Sequence, residues 1–253
     1  MNHPPVLLVI AHGSRDPRHA ATVQALVRRA GALRPGLRVE TAFLDFNLPS
    51  VTGVLDRLAA EGVRDVVALP LLLTRAFHAK ADVPAVLRQA PASLRIRQAE
   101  VLGPSPLLIA AVERRLYEAG LAPGDKSATG VVLASAGSTD PEAIAVIAET
   151  ARELRRTGWC SVRPAFASAV IAGGVPRTED AVGALRAEPG VRRVAVAPYV
   201  IAPGRLPDRI AAGAAEADVL ADVLGPSPEL ARLLLARYDG AALAAERVTA
   251  AAV

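Results

Sequence analysis

Short, continuous apolar runs alternate along this chain with longer stretches whose apolar positions recur every three or four residues. The first run, Val6–Ala11 (VLLVIA), ends in His-Gly-Ser. An unbroken apolar run of that length, closed by a glycine turn, marks a strand buried on both faces, as in a parallel sheet. A helix is expected next. Asp16 has the side chain of an N-cap, Pro17 suits the first helical position, and Val23, Leu26, Val27 and Ala30 form one apolar face. Further strands are expected at Arg38–Leu44, Asp65–Leu73 and Ile96–Leu102. Helices are expected at Ser50–Glu61, at Ala81–Gln89 (with Asp82 as its cap) and after Pro106. This alternation predicts an α/β fold with a parallel sheet covered by helices on both faces, that is, doubly wound.

The second half repeats the first. LGPSP stands at Leu102–Pro106 and again at Leu224–Pro228, an offset of 224 − 102 = 122. AHGSRDP at Ala11–Pro17 returns as SAGSTDP at Ser135–Pro141 (135 − 11 = 124), and ALPLLLT at Ala68–Thr74 as VAPYVIA at Val196–Ala202 (196 − 68 = 128). VETAF at Val39–Phe43 matches VRPAF at Val162–Phe166. Matches in the same order with slowly growing offsets indicate a duplicated unit with small insertions. The expected architecture is two tandem parallel-sheet α/β units, residues 1–124 and 125–253, joined near the Pro/Gly/Ser/Lys stretch Ala122–Thr129. Within LGPSP, Gly-Pro ends a strand, the serine caps the next helix and the second proline takes its first turn.

Composition narrows the function classes. At 52% hydrophobic and 21% charged residues, the chain is that of a folded globular protein rather than a disordered one. The net charge of +4 suits an acidic small molecule, but the chain has no run of five or more Lys/Arg, so nucleic acid is not an expected partner. A single cysteine, Cys160, excludes an internal disulfide and a C-x-x-C metal site. The start, MNHPP, has no basic leader region, and Val6–Ala11 is too short for a signal core or a membrane span. A cytoplasmic protein without membrane association is expected.

Open α/β sheets bind ligands at the carboxyl ends of their strands. His12 follows the first strand, Asp45 the second, and His78 the third, in RAFHAKAD. The spacings are equal, 45 − 12 = 33 and 78 − 45 = 33, so each residue holds the same place in its own βα unit. Two imidazoles and a carboxylate suit a borderline divalent ion such as Fe²⁺, Co²⁺ or Ni²⁺, and imidazole also accepts protons near neutral pH. Gly13 permits a close backbone approach, and Ser14 is a hydrogen-bond donor or a positioner of the first helix. Arg15, Arg75 and Lys80 sit in the two histidine loops and are the candidate partners of an anionic ligand. His3 and His19 are read as non-functional, one at the terminus and one inside the first helix.

At VLLVIAHGSRDP, at AFLDFNLPSV around Asp45 and at ALPLLLTRAFHAKADVP around His78, the chain resembles the sirohydrochlorin chelatases (type II tetrapyrrole chelatases of siroheme and cobalamin biosynthesis), in a two-repeat form. The resemblance covers nearly the whole first half. It implies a lyase that inserts Fe²⁺, Co²⁺ or Ni²⁺ into sirohydrochlorin through His12 and His78, with the metal as substrate and no permanent cofactor. The family usually has glutamate after strand two; Asp45 is one methylene shorter. In the second half Ala136 stands for His12, and APGRLPD replaces RAFHAKAD. One site per chain is therefore expected, and the duplication is compatible with a monomer. A hydrolase or phosphotransferase lacks support: Ala11, not arginine, precedes His12, and no Walker loop, nucleophile elbow or dinucleotide fingerprint is present. A non-catalytic tetrapyrrole or metal carrier remains the alternative, since it would use the same histidines.

Overall fold

Backbone pairing follows from the apolar runs. The computed structural model describes residues 4–75, 81–168 and 175–250. In the first half, β1 (Val6–Ala11), β2 (Val39–Phe43), β3 (Asp65–Pro70) and β4 (Arg95–Gln98) form a parallel sheet in the order β2-β1-β3-β4. In the second, β5 (Thr129–Ser135), β6 (Ser161–Phe166), β7 (Arg193–Tyr199) and β8 (Val219–Leu220) repeat it as β6-β5-β7-β8. Every residue of β1 and of β5 is buried, as a strand covered on both faces requires. The strands end earlier than the apolar runs. After Pro70 the Leu72 N–H turns back to the Pro70 carbonyl, and the paired register of the edge strand β4 ends at Gln98, with one further bond from the Ala99 N–H to the Ala68 carbonyl.

Helices α1 (Pro17–Leu33), α2 (Val51–Ala60), α3 (Val83–Leu87) and α4 (Pro106–Glu118) belong to the first half of the sequence. The second half contributes α5 (Pro141–Arg156), α6 (Thr178–Arg186), α7 (Arg205–Gly213) and α8 (Pro228–Ala250). The Asp16 carboxylate accepts the Arg18 N–H and caps α1, whose buried residues are the expected Val23, Leu26, Val27 and Ala30. Ser50 caps α2 and Ser105 caps α4 in the same way. Asp82 does not cap α3: its own backbone is already helical (φ −71°, ψ −47°) and its side chain makes no capping bond.

On one face of the first sheet, Leu8, Ile10 and Val66 pack against Val54, Leu55 and Leu58 of α2 and Val83 of α3. On the corresponding face of the second, Val132, Val194 and Val196 pack against Val182 and Leu185 of α6 and Ile210 of α7. The other faces are covered in an unexpected way. Helix α4 packs on β7 and α5, whereas α8 packs on α1, β3 and β4. The compact units are residues 1–103 with 226–253, and residues 104–225.

These units differ from the halves 1–124 and 125–253 expected from the repeat, by one helix each. Both transfers occur inside LGPSP, between Gly103 and Pro104 and between Gly225 and Pro226. The stretch Ala122–Thr129 is no linker between units; it forms a 3₁₀ turn (Pro123–Ala128) leading into β5. The reason lies in the side chains of the two helices. In the second unit Glu113 of α4 takes an ion pair from Lys126 and hydrogen bonds from Thr157 Oγ1 (2.7 Å) and Trp159 Nε1 (3.2 Å). In the first, Tyr238 of α8 donates to the Pro5 carbonyl (2.8 Å), and Asp239 accepts both terminal guanidinium nitrogens of Arg34.

Ending the chain at Gly225 should therefore unfold the first unit and spare the second. It removes the buried Leu230, Leu233, Leu234 and Tyr238. Each is worth roughly 1.5–3 kcal/mol, together about the whole stability of a domain. Hydrogen exchange will show it as lost protection in β1 and β3 with protection retained in β5 and β7. Retained protection in β1 would contradict the exchange of helices.

Candidate functional site

The carboxyl rim of the first sheet is built by two loops clipped together through backbone. Past the β1–β2 ladder, the Leu44 N–H donates to the Ala11 carbonyl (3.0 Å) and the Asp45 N–H to the His12 carbonyl (2.9 Å). Gly13 then turns through a positive φ of 98°, and a Cβ placed there would lie 1.9 Å from the Asp45 carbonyl oxygen. Only glycine fits. The close approach expected of Gly13 is thus made to Asp45 of the same chain. Ser14 donates its N–H to Asn47 Oδ1 (2.8 Å), and its Oγ accepts the Asp16 N–H (3.1 Å), which sets the start of α1.

His12 and Asp45 are both exposed at this rim. Asp45 Oδ1 accepts the N–H of Phe46 (2.8 Å), so one carboxylate oxygen is engaged in its own turn. Phe46 has a left-handed backbone (φ 60°). For a bulky side chain this costs of order 1–3 kcal/mol. The residue is nonetheless 50% exposed. Its ring lies edge-on to the His12 ring, with centroids 6.3 Å apart and an interplanar angle of 85°, and the Arg15 guanidinium sits 5.1 Å above it. The structure therefore brings together His12, Gly13, Ser14, Arg15 and Asp45. Arg75 is exposed after β3; His78 and Lys80 lie outside the described residues. Among the described residues no group of three or more His, Cys, Asp or Glu side chains is placed to hold a metal ion.

Sequence reasoning passed over three neighbours of this rim. Phe46 and Asn47 follow Asp45 directly, and their position in a strand-ending loop was the available signal. His19, in the first turn of α1, packs against Phe43 with ring centroids 6.5 Å apart, and its buried Nδ1 has no hydrogen-bond partner among the described residues. Burial and the nearby charge of His12 hold the His19 imidazole below its ordinary pKa, with Asp16 opposing weakly. A cavity of about 480 Å³ opens at the opposite, amino-terminal rim. Two of its arginines are committed to carboxylates, Arg38 to Glu40 and Glu61 and Arg95 to Asp65.

Both repeats match the CbiX family, over residues 6–119 and 130–241. The chain is a member of the CbiX family. The sirohydrochlorin cobaltochelatase of Priestia megaterium is 27% identical over 214 residues, 81% of this chain and 66% of that protein, so the match spans just under two thirds of that relative. The sirohydrochlorin ferrochelatase of the same organism is 25% identical over 239 residues, covering 90% of this chain and 87% of that protein. The structure of SirB from Bacillus subtilis with Fe³⁺ superimposes with a TM-score of 0.81 at 23% identity, covering 96% of this chain and 97% of that one. The fold is that of the CbiX and SirB chelatases.

The second repeat of this CbiX chain keeps the clip and lacks the imidazole and the carboxylate. Ala167 N–H donates to Ser135 O (2.9 Å) and Ser168 N–H to Ala136 O (3.1 Å), so Ser168 stands for Asp45 and Ala136 for His12. Gly137 again has a positive φ (101°), but a Cβ there would meet the Ser168 hydroxyl, 2.2 Å away, rather than a backbone carbonyl. A hydroxyl rotates; a clipped carbonyl does not. Gly13→Ala should therefore destabilise its unit by more than about 2 kcal/mol, and Gly137→Ala by clearly less. Urea unfolding of the two variants measures the difference, and equal losses would remove the asymmetry.

His19 adds a pH dependence. The unfolded chain takes up a proton as pH falls through about 6.5, while the folded chain resists it. His19's contribution to stability is complete above that pH and declines below it. Metal-free protein should accordingly lose stability between about pH 7.5 and 5.5, less steeply in His19→Gln. Parallel slopes in the two proteins would count against this.

Proposed function

We propose that this protein inserts a divalent metal, Fe²⁺, Co²⁺ or Ni²⁺, into sirohydrochlorin, in siroheme or cobalamin biosynthesis. The observation that carries this reading is the match of both repeats to the CbiX family, whose relatives named here are a cobaltochelatase and a ferrochelatase of sirohydrochlorin. His12, at the carboxyl end of a central parallel strand, supports it.

Insertion exchanges one metal ion for two pyrrole N–H protons. His12 and His78 hold the incoming ion, and at least one accepts a pyrrole proton, a general-base role suited to imidazole. Asp45 completes the ligand set or orients it, using the carboxylate oxygen that the Phe46 N–H does not occupy. Arg15, Arg75 and Lys80 pair with the substrate's peripheral carboxylates. The protein thus supplies position and proton acceptance rather than a nucleophile. Nitrogen and oxygen ligands accept several first-row ions, so availability selects among them. One site per chain, in the first repeat, follows from Ala136 and Ser168 at the positions of His12 and Asp45. We place the protein in the cytoplasm; no helix among the described residues is long and apolar enough to cross a membrane.

Anaerobic incubation with sirohydrochlorin and Co²⁺ or Fe²⁺, followed by absorbance, tests the proposal. Wild type should turn over many times, and His12→Ala and His78→Ala should each lose about 10²–10⁴-fold in kcat/KM. Stoichiometric uptake without turnover would identify a carrier. Normal turnover by both alanine variants would displace the site.

A further inference from the structure

Phe46 is held where a solvent-exposed aromatic has no structural reason to be. Its backbone is left-handed, half of its surface is open, and Leu48 in the same loop is 82% exposed. The loop is nevertheless tightly fixed. Asp45 Oδ1 takes the Phe46 N–H, the Asn47 N–H reaches the Asp45 carbonyl (2.7 Å), Asn47 Oδ1 takes the Ser14 N–H, and the Phe43 N–H reaches the Pro49 carbonyl (3.0 Å). Two polar side chains are spent on keeping an apolar ring in water beside His12. Backbone strain that surrounding bonds over-determine points to a function for the residue that carries it.

Resting on the function proposed above, we infer that Phe46 is a substrate-binding residue that seats the face of the tetrapyrrole beside His12. The chemistry matches on both counts. The macrocycle is a flat π-system, which stacks on an aromatic ring, and its rim bears carboxylates. Arg15, already over the Phe46 ring, brings a guanidinium to that rim while stacked on the same aromatic. One ring therefore fixes both the height of the macrocycle over His12 and the reach of its anion partner. The second repeat agrees: where Ala136 replaces His12, the residue after Ser168 is Ala169, so imidazole and aromatic are lost together.

The test is titration of metal-free sirohydrochlorin, without metal, into wild type, Phe46→Ala, Phe46→Trp and Phe46→Gly, followed by absorbance. Phe46→Ala should weaken binding about threefold to tenfold and raise KM to match. Its calorimetric affinity for Co²⁺ should stay within about twofold. Phe46→Trp should bind like wild type. Phe46→Gly, which relieves the left-handed backbone, should melt higher than wild type and still bind the macrocycle poorly. A purely structural role would move melting temperature and leave the binding of Phe46→Ala unchanged, and that result overturns the inference. Metal insertion by wild type with unchanged Kd in Phe46→Ala refutes this inference alone. Failure of wild type to bind sirohydrochlorin refutes the proposed function and this inference together.

Discussion

The approach of Gly13 to the Asp45 carbonyl is the constraint on which the candidate site depends. Two strands can pair in parallel and still let their outgoing loops diverge. Here backbone bonding runs on past both strands, through His12 and Asp45, and the missing side chain at Gly13 lets the loops close on each other. His12 is thereby fixed at its own carbonyl, Ser14 is set to donate its N–H to Asn47, and Asp16 is aligned to cap α1. The placement of every described site residue except Arg75 follows from that contact.

The duplication separates what the fold needs from what the chemistry needs. Both repeats retain the positive-φ glycine, the serine that accepts the cap residue's N–H at 3.1 Å, and the aspartate cap with its proline. These features start a helix and close two loops, and they persist where no histidine remains. The imidazole, the carboxylate after the second strand and the aromatic that follows it are absent from the second copy. They are costly to maintain: an exposed ring, a strained backbone and a carboxylate turned into its own loop. Their presence in the first copy alone is the strongest internal argument that they serve a ligand there.

Much of this was legible in the residues. Unbroken apolar runs identified β1 and β3, and the positions of Val23, Leu26, Val27 and Ala30 identified the buried face of α1, because burial periodicity is local. The rim positions of His12 and Asp45 were legible because parallel sheets place ligands at strand ends. The Asp82 cap was not, because Asp82 itself already lies in the helical turn. His19 was read as a helix residue without function, and its burial against Phe43 depends on β2, a partner distant in sequence. Phe46 carried no periodic signal, since a single left-handed residue in a loop is set by the bonds around it.

The exchanged helices show where local reading stops. The LGPSP sequences predict a strand end followed by a helix cap; the cap is there, at Ser105 and in the Leu230 N–H donated to Ser227 Oγ, but the strands have already ended at Gln98 and Leu220. A cap fixes where a helix starts, not which sheet it covers. That choice is made by α4 through Glu113, which meets Lys126, Thr157 and Trp159, and by α8 through Tyr238 and Asp239, which meet Pro5 and Arg34. Neither set is visible to a reading that treats each repeat as self-sufficient. The consequence bears on the site. The first sheet, whose rim carries His12 and Asp45, is complete only with the last helix of the chain. The repeat that lost its own histidines therefore still supplies the helix that covers β3 and β4 beneath the site.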